Sequence, residues 1–246
     1  MNAIILAAGT GSRLGQGRPK CLCRIGDRTL LEHQLTALVG VGAKPVVVSG
    51  YRHNEVSVFL PDIPVIVNER FASTNSLYSF HLAEPFVGDC GALILNADVL
   101  FDPLVLDALL AIGSSALACD STSGGDDEHM KVESFEGALV EMRKDLPAHR
   151  CEAENVGLLY LDSSALTAAF VAARSLIFEG PGETAWFAAA VNRVALSHRI
   201  ACVDVAGLPW VEIDFPEDLA HAKQRVWPEI AGRSTSVVRG RSHAGR

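Results

Sequence analysis

The sequence predicts an α/β protein built on a mostly parallel sheet with helices on both faces. Three observations carry that expectation. Short apolar runs alternate with amphipathic stretches of helical spacing through the first half of the chain. The first run, Ala3 to Leu6, shows no polar alternation, which is the pattern of a strand buried on both faces. The chain of 246 residues is 49% hydrophobic with a mean hydropathy of +0.23, enough for a sizeable core in one domain.

Ala3–Leu6 feeds a loop of small residues, Ala7 to Ser12, whose backbone can approach a ligand closely. Thr29–Gly40 is predicted to be a helix, with Leu30, Leu31, Leu35 and Leu38 at helical spacing and Gly40 at its end. Pro45–Gly50 is the second strand, Asn54 caps a short helix, and Pro64–Val67 is the third strand. Thr74–Ala83 is predicted helical, and Gly91–Leu95 is a central strand ending at Asn96-Ala97-Asp98. Right-handed crossovers bring the carboxyl ends of such strands to one edge, where ligands bind in open α/β sheets. Gly9, Gly50 and Asp98 all fall at that edge.

The polar stretch 121–128 is expected to be a mobile loop. Strands are expected at 130–135, 138–142 and 155–161, and helices at 163–175 and 183–195. Strands at 200–205 and 210–213 and a closing helix at 216–226 complete the expectation. Residues 1–228 are expected to form one domain with a small subregion in its second half. Residues 229–246 are expected to be a basic, disordered tail, with Arg233, Arg239, Arg241 and Arg246 and no acid from Gly232 onward.

A net charge of −8 argues against nucleic acid as a general partner. No stretch approaches the roughly twenty apolar residues of a membrane span, and the N-terminus lacks the basic start of a signal peptide. The six cysteines follow no metal or redox spacing, as expected of free thiols in a reducing cytoplasm. The oligomeric state stays open, a homo-oligomer included.

Arg13 and Lys20 place two cations just beyond the small-residue loop, where they suit a polyphosphate. A dinucleotide-binding loop would need a third glycine where Leu14 stands, and a P-loop would need Gly-Lys-Ser/Thr after its spacer. Two carboxylates at the ends of apolar runs, Asp98 and Asp214, suit a divalent metal on phosphate oxygens. The competing structural readings are a strand-end turn for Asp98 and a helix N-cap for Asp214. Glu212, two residues before Asp214, is a further candidate ligand.

The run Leu6-Ala-Ala-Gly-Thr-Gly-Ser-Arg-Leu14, followed by Pro19-Lys20, resembles the L-A-A-G-x-G-x-R-L…P-K signature of nucleotidyltransferases. Thr74-Asn75-Ser76-Leu-Tyr78-Ser79 resembles the T-N-x-x-Y-S segment of bacterial phosphocholine and phosphonate cytidylyltransferases. Asn96-Ala97-Asp98 and Glu212-Ile213-Asp214 through Asp218 resemble the metal element and closing segment of that branch. Met130-Lys131-Val132 resembles the M-K-V strand of its phosphonate and inositol-phosphate members. The resemblance implies a Rossmann-like fold and CTP as nucleotide donor. It implies that Leu6, Ala7, Ala8, Gly9 and Gly11, with Thr74, Asn75 and Ser76, hold the nucleoside. It further implies Arg13, Lys20 and Lys131 as catalytic cations, and Asp98 and Asp214 as ligands of Mg²⁺.

The acceptor is less determined. Tyr160, Trp186 and Phe187 are thin material for an aromatic cage around choline. His129, Lys131, Arg143, Lys144, His149 and Arg150 instead favour a small, strongly anionic phosphonate or phosphomonoester, for example one bearing a carboxylate. Phosphocholine, a sugar 1-phosphate with another nucleotide, and a catalytically silent nucleotide-binding protein are the alternatives.

Overall fold

The computed structural model describes residues 1–15, 17–123 and 129–233. Its parallel part holds β1 (Asn2–Ala7), flanked in parallel by β4 (Lys44–Ser49) and β6 (Ala92–Asn96), with β5 (Val65–Val67) outside β4. The parallel pattern ends at β11 (Ala153–Leu161), which runs antiparallel to β6 and to β8 (Ala116–Asp120). Beyond β8 lie β12 (Ala201–Asp204), β10 (Ala138–Arg143) and β9 (Lys131–Phe135), so the full order is β5-β4-β1-β6-β11-β8-β12-β10-β9. The sheet is therefore parallel in its first half and mixed in its second.

Helices cover both faces, as the alternating apolar pattern requires. On one face α1 (Leu30–Gly40), α2 (His53–Phe59) and α4 (Leu104–Ala111) pack on Ile5, Val47, Leu93 and Leu95. On the other, α3 (Ser76–Leu82), α5 (Ser163–Glu179) and α6 (Ala188–Ala195) pack on Ile4, Val46, Val48 and Ile94. Successive strand residues point to opposite faces, so each strand feeds both cores. A third apolar cluster joins Leu14, Cys23 and Ile25 to Ile213 and to Leu219, Val226 and Ile230 of the C-terminal helix. That helix begins as α7 (Pro216–His221), widens into a π-helical turn at Ala222–Val226 and runs on to residue 233. Residues 229–233, assigned to the tail by composition, are thus helical, while 234–246 lie outside the described residues.

Local chemistry sets several boundaries. Thr29 caps α1: its Oγ1 accepts from the Glu32 N–H at 3.2 Å, and the Glu32 carboxylate accepts from the Thr29 N–H at 2.6 Å. Thr29→Ala is expected to cost about 1 kcal/mol in a urea unfolding curve. An unchanged midpoint would show that the reciprocal cap contributes nothing. The helix after β4 is not capped by Asn54; Arg52, in the left-handed region, occupies the N-cap and Asn54 lies inside the first turn. α3 is capped by Asn75 rather than begun at Thr74.

The helix expected over 183–195 is broken. Pro181–Thr184 forms a 3-10 turn, and α6 starts only at Ala188. Between them the backbone is held sideways: Asn75 N–H donates to Glu183 O at 2.8 Å, and Phe187 N–H donates to Ser76 Oγ at 2.8 Å. Part of the expected loop, 124–128, lies outside the described residues.

Four further short strands, β2 (Arg24–Ile25), β3 (Arg28–Thr29), β7 (Val99–Phe101) and β13 (Trp210–Glu212), form two small antiparallel pairs, β2 with β3 and β7 with β13. The second pair positions the site.

Candidate active site

The loop after β1 is shaped by glycine. Gly11 sits in the left-handed region at φ 59°, and Ser12–Leu14 then forms a 3-10 turn that delivers Arg13 to the cleft. Gly50 lets the end of β4 lie against that loop: a Cβ there would stand 2.8 Å from Ala8 O and 2.5 Å from Phe71 Cβ. Lys20 follows Pro19 at the start of a second 3-10 turn, anchored by buried Cys21 and Leu22. Burial pushes the Cys21 thiol up to about 12 and the Cys23 thiol up to about 11, so both are inert thiols here.

Asp98 lies in the turn between β6 and β7. Gln34, buried on α1, donates from Nε2 to Asn96 O and Val99 O, both at 2.8 Å, and so braces that turn from behind. Pairing of β7 with β13 (Val99 opposite Glu212) carries the chain on to Ile213, whose N–H donates to Asp98 O at 2.9 Å. Asp214 thereby arrives beside Asp98. Its carboxylate is not the helix cap, because Asp218 accepts from the Asp214 and Phe215 N–H groups at 2.9 and 2.7 Å.

The result is one cluster. Oxygens of Asp98, Glu212 and Asp214 lie within 4.8 Å of one another. Lys20 Nζ donates to Asp98 Oδ2 at 2.9 Å and to Asp214 Oδ1, and Arg13 reaches Asp214 Oδ2 at 3.2 Å. Burial alone would discharge Lys20, but Asp98 and Asp214 outweigh it and hold its pKa above the ordinary lysine value. Burial likewise works against the Asp214 charge, and Lys20 and Arg13 reverse it, keeping Asp214 below the usual carboxylate range. Glu212 is the reverse case: burial first, then Asp98 and Asp214, push it up to about 8. Asp98 Oδ1 is buried and has no hydrogen-bond partner among the described residues. Three oxygen donors with one such orphaned atom fit a hard divalent cation.

These groups open onto a cleft of about 350 Å³. Leu6, Ala8, Gly9, Gly11, Arg13, Lys20, Thr74, Asn75, Ser76, Asp98 and Asp214 all line it. Two of the expected residues do not. Ala7 is buried with its side chain in the core, because strand alternation turns it away from Leu6. Lys131 is also buried: Met130 faces the cleft and Val132 the core on the same side of β9, which sends Lys131 to the opposite side. The expected cationic acceptor face shrinks accordingly. Arg150 pairs with Glu133 and Glu141, Arg143 with Glu141 and Asp145, and His129 with Glu154, and of the six cations only Lys144 lines the cleft.

On the nucleoside side, Thr74 Oγ1 accepts from Asn68 Nδ2 at 3.0 Å and donates to Arg70 O at 2.8 Å. Asn75 Oδ1 accepts from the Ser76 N–H, which leaves the Asn75 amide donors available for a ligand. Sequence reasoning gave no site role to Asn68, to Gln34 or to the lining methionines Met130 and Met142. Nothing local distinguishes a buried bracing amide from a surface one.

A family model for the MobA-like NTP transferase domain matches residues 3–152. The CMP-5'-(3-aminopropyl)phosphonate synthase of Streptomyces rubellomurinus is 30% identical over 93% of this chain and 39% of its own length. The choline-phosphate cytidylyltransferase of Haemophilus influenzae is 40% identical over 42% of this chain and 46% of its own length. The chain thus matches less than half the length of either relative. The inositol-1-phosphate CTP transferase structure from T. maritima superimposes with a TM-score of 0.72 at 22% identity, covering 92% of this chain and 97% of that one, a likeness of fold. The small-residue loop with its two cations falls within the matched region, and so does Asp98; on that match the chain belongs to the MobA-like NTP transferase domain family.

Proposed function

We propose that this chain is a cytidylyltransferase that moves CMP from CTP to a small phosphonate or phosphomonoester and releases pyrophosphate. The observation that carries the reading is the Lys20 bridge between Asp98 and Asp214, in one cleft with the small-residue loop and Thr74–Ser76. The names of the relatives, a phosphonate CMP synthase and a choline-phosphate cytidylyltransferase, support cytosine and a phosphate-bearing acceptor.

Nucleotidyl transfer needs positioning and charge compensation more than covalent chemistry. The loop from Leu6 to Gly11 and the Asn75 amide would hold ribose and base. An acceptor oxygen attacks the α-phosphorus in line, one new P–O bond forms, and the bond to the β-phosphate oxygen breaks. Arg13 and Lys20 offset the charge that grows on the phosphoryl oxygens and on departing pyrophosphate. Asp98 and Asp214, with Glu212, would hold Mg²⁺, which supplies further charge compensation on the triphosphate when bound. No protein nucleophile is needed, in keeping with the buried, inert Cys21 and Cys23.

Pyrophosphate release, measured with CTP, UTP, GTP and ATP against a pool of phosphonates, phosphomonoesters and glucose 1-phosphate, tests this. Turnover is expected with CTP and a phosphonate or phosphomonoester. Turnover with UTP or GTP and the sugar phosphate would replace the function and keep the fold. No turnover with any pair would favour a silent nucleotide-binding protein.

A further inference from the structure

The acceptor end of the cleft carries a charge arrangement that narrows the acceptor class, given the nucleotidyl-transfer reading above. Trp186 is 48% exposed and lines the cleft. The Lys144 ammonium lies 5.0 Å from the centre of its ring. Lys144 has no carboxylate within ion-pair distance among the described residues, whereas its neighbour Arg143 is bound to Glu141 and Asp145. Its field does reach the carboxylate cluster, where it favours the charged forms of Glu212 and Asp214.

A substrate ammonium is ordinarily held on an aromatic face with a carboxylate close by. Neither is on offer here. The exposed indole face is filled by the chain's own cation. The described carboxylates of the lining, Asp98, Glu212 and Asp214, are drawn together in the single cluster that Lys20 bridges. Met130, Met142, Asn155 and Phe187, which also line the cleft, are uncharged, and Glu183, three residues before Trp186, is paired with Arg70. A cation brought into this space would meet Lys144 at close range, and repulsion between unit charges a few ångström apart in a partly desolvated cleft is large.

We infer that Lys144, seated on Trp186, is a charge filter that admits acceptors whose end remote from the reacting phosphoryl group is neutral or anionic and rejects cationic ones. Trp186 is a positioning residue in this arrangement, acting through Lys144. The filter makes phosphocholine a poor acceptor although its phosphate is of the right kind.

The test compares phosphocholine with 3,3-dimethylbutyl phosphate, its uncharged carbon isostere, both with CTP. The two share shape and phosphate and differ only in the remote charge. The wild-type chain is expected to favour the isostere by about tenfold or more in kcat/KM. Lys144→Met is expected to bring the ratio close to one, and Trp186→Leu, which frees the ammonium to leave its seat, to lower it in the same direction. Where a variant does not turn over, the ratio of the two dissociation constants from calorimetry replaces it. A wild-type preference for phosphocholine, or a ratio that neither variant moves, would overturn the filter while leaving the transferase reading intact. Absence of CTP turnover with every acceptor in the wider pool would instead overturn the reading of the site, and the filter with it.

Discussion

Asp98→Asn is expected to lower kcat by at least about a hundredfold while leaving the fold intact. The amide keeps the shape of the side chain and can still accept from Lys20 Nζ, which now lies 2.9 Å from Asp98 Oδ2. The turn itself is held by the backbone and by Gln34, not by the carboxylate. What is lost is one charge from a cluster of three carboxyl groups whose oxygens lie within 4.8 Å of one another. The nucleoside pocket around Thr74–Ser76 is formed by other elements, so KM for CTP should change far less than kcat. Calorimetric titration with Mg²⁺ gives a readout independent of turnover, and the variant should bind the ion more weakly. A kcat within threefold of wild type, with Mg²⁺ affinity unchanged, would remove Asp98 from the site.

The second large effect is on stability against pH. Glu212 is pushed from 4.5 up to about 8 by burial and by the charges of Asp98 and Asp214. The folded chain therefore keeps a proton there that the unfolded chain has released, and the stability this gives is complete below about pH 4.5. It is lost progressively as pH rises toward 8. The metal-free protein should accordingly lose on the order of a few kcal/mol across that interval from this group. Glu212→Gln should flatten this dependence and raise Tm at pH 8, measured by calorimetry in a chelator. Added Mg²⁺ should raise the wild-type Tm at pH 8 more than that of the variant, because the ion compensates a charge the variant lacks. Parallel Tm profiles for the two proteins in chelator would refute the assignment of Glu212 to a strained carboxylate cluster.

Much of the nucleotide half was legible in the sequence because its information is local. β1, the loop after it and the turns carrying Arg13 and Lys20 occupy one continuous stretch, and the run of small residues leaves few ways to arrange it. The helix from Thr29 was legible for the same reason, in its leucine spacing, while its cap by Thr29 and Glu32 came from the structure. Strand parity turns the side chains of Lys131 and Ala7 away from the cleft, which a motif match does not report. Asn54 and Thr74 failed as helix starts because their neighbours Arg52 and Asn75 took the N-cap positions.

The second half was harder for a physical reason. α4 and β8 follow β7 within a stretch of nearly uniform apolar character, where buried helix and buried strand look alike. The sequence alone determined the α/β class, the small-residue loop, and which two cations and two carboxylates to watch. Tertiary structure alone decided that they meet. β7 and β13 are three residues each and separated by more than a hundred positions, so neither carries a signal of the pairing that brings Asp214 to Asp98. The same holds at the acceptor end, where an ammonium in the turn after β10 and an indole before α6 become neighbours only in the folded chain.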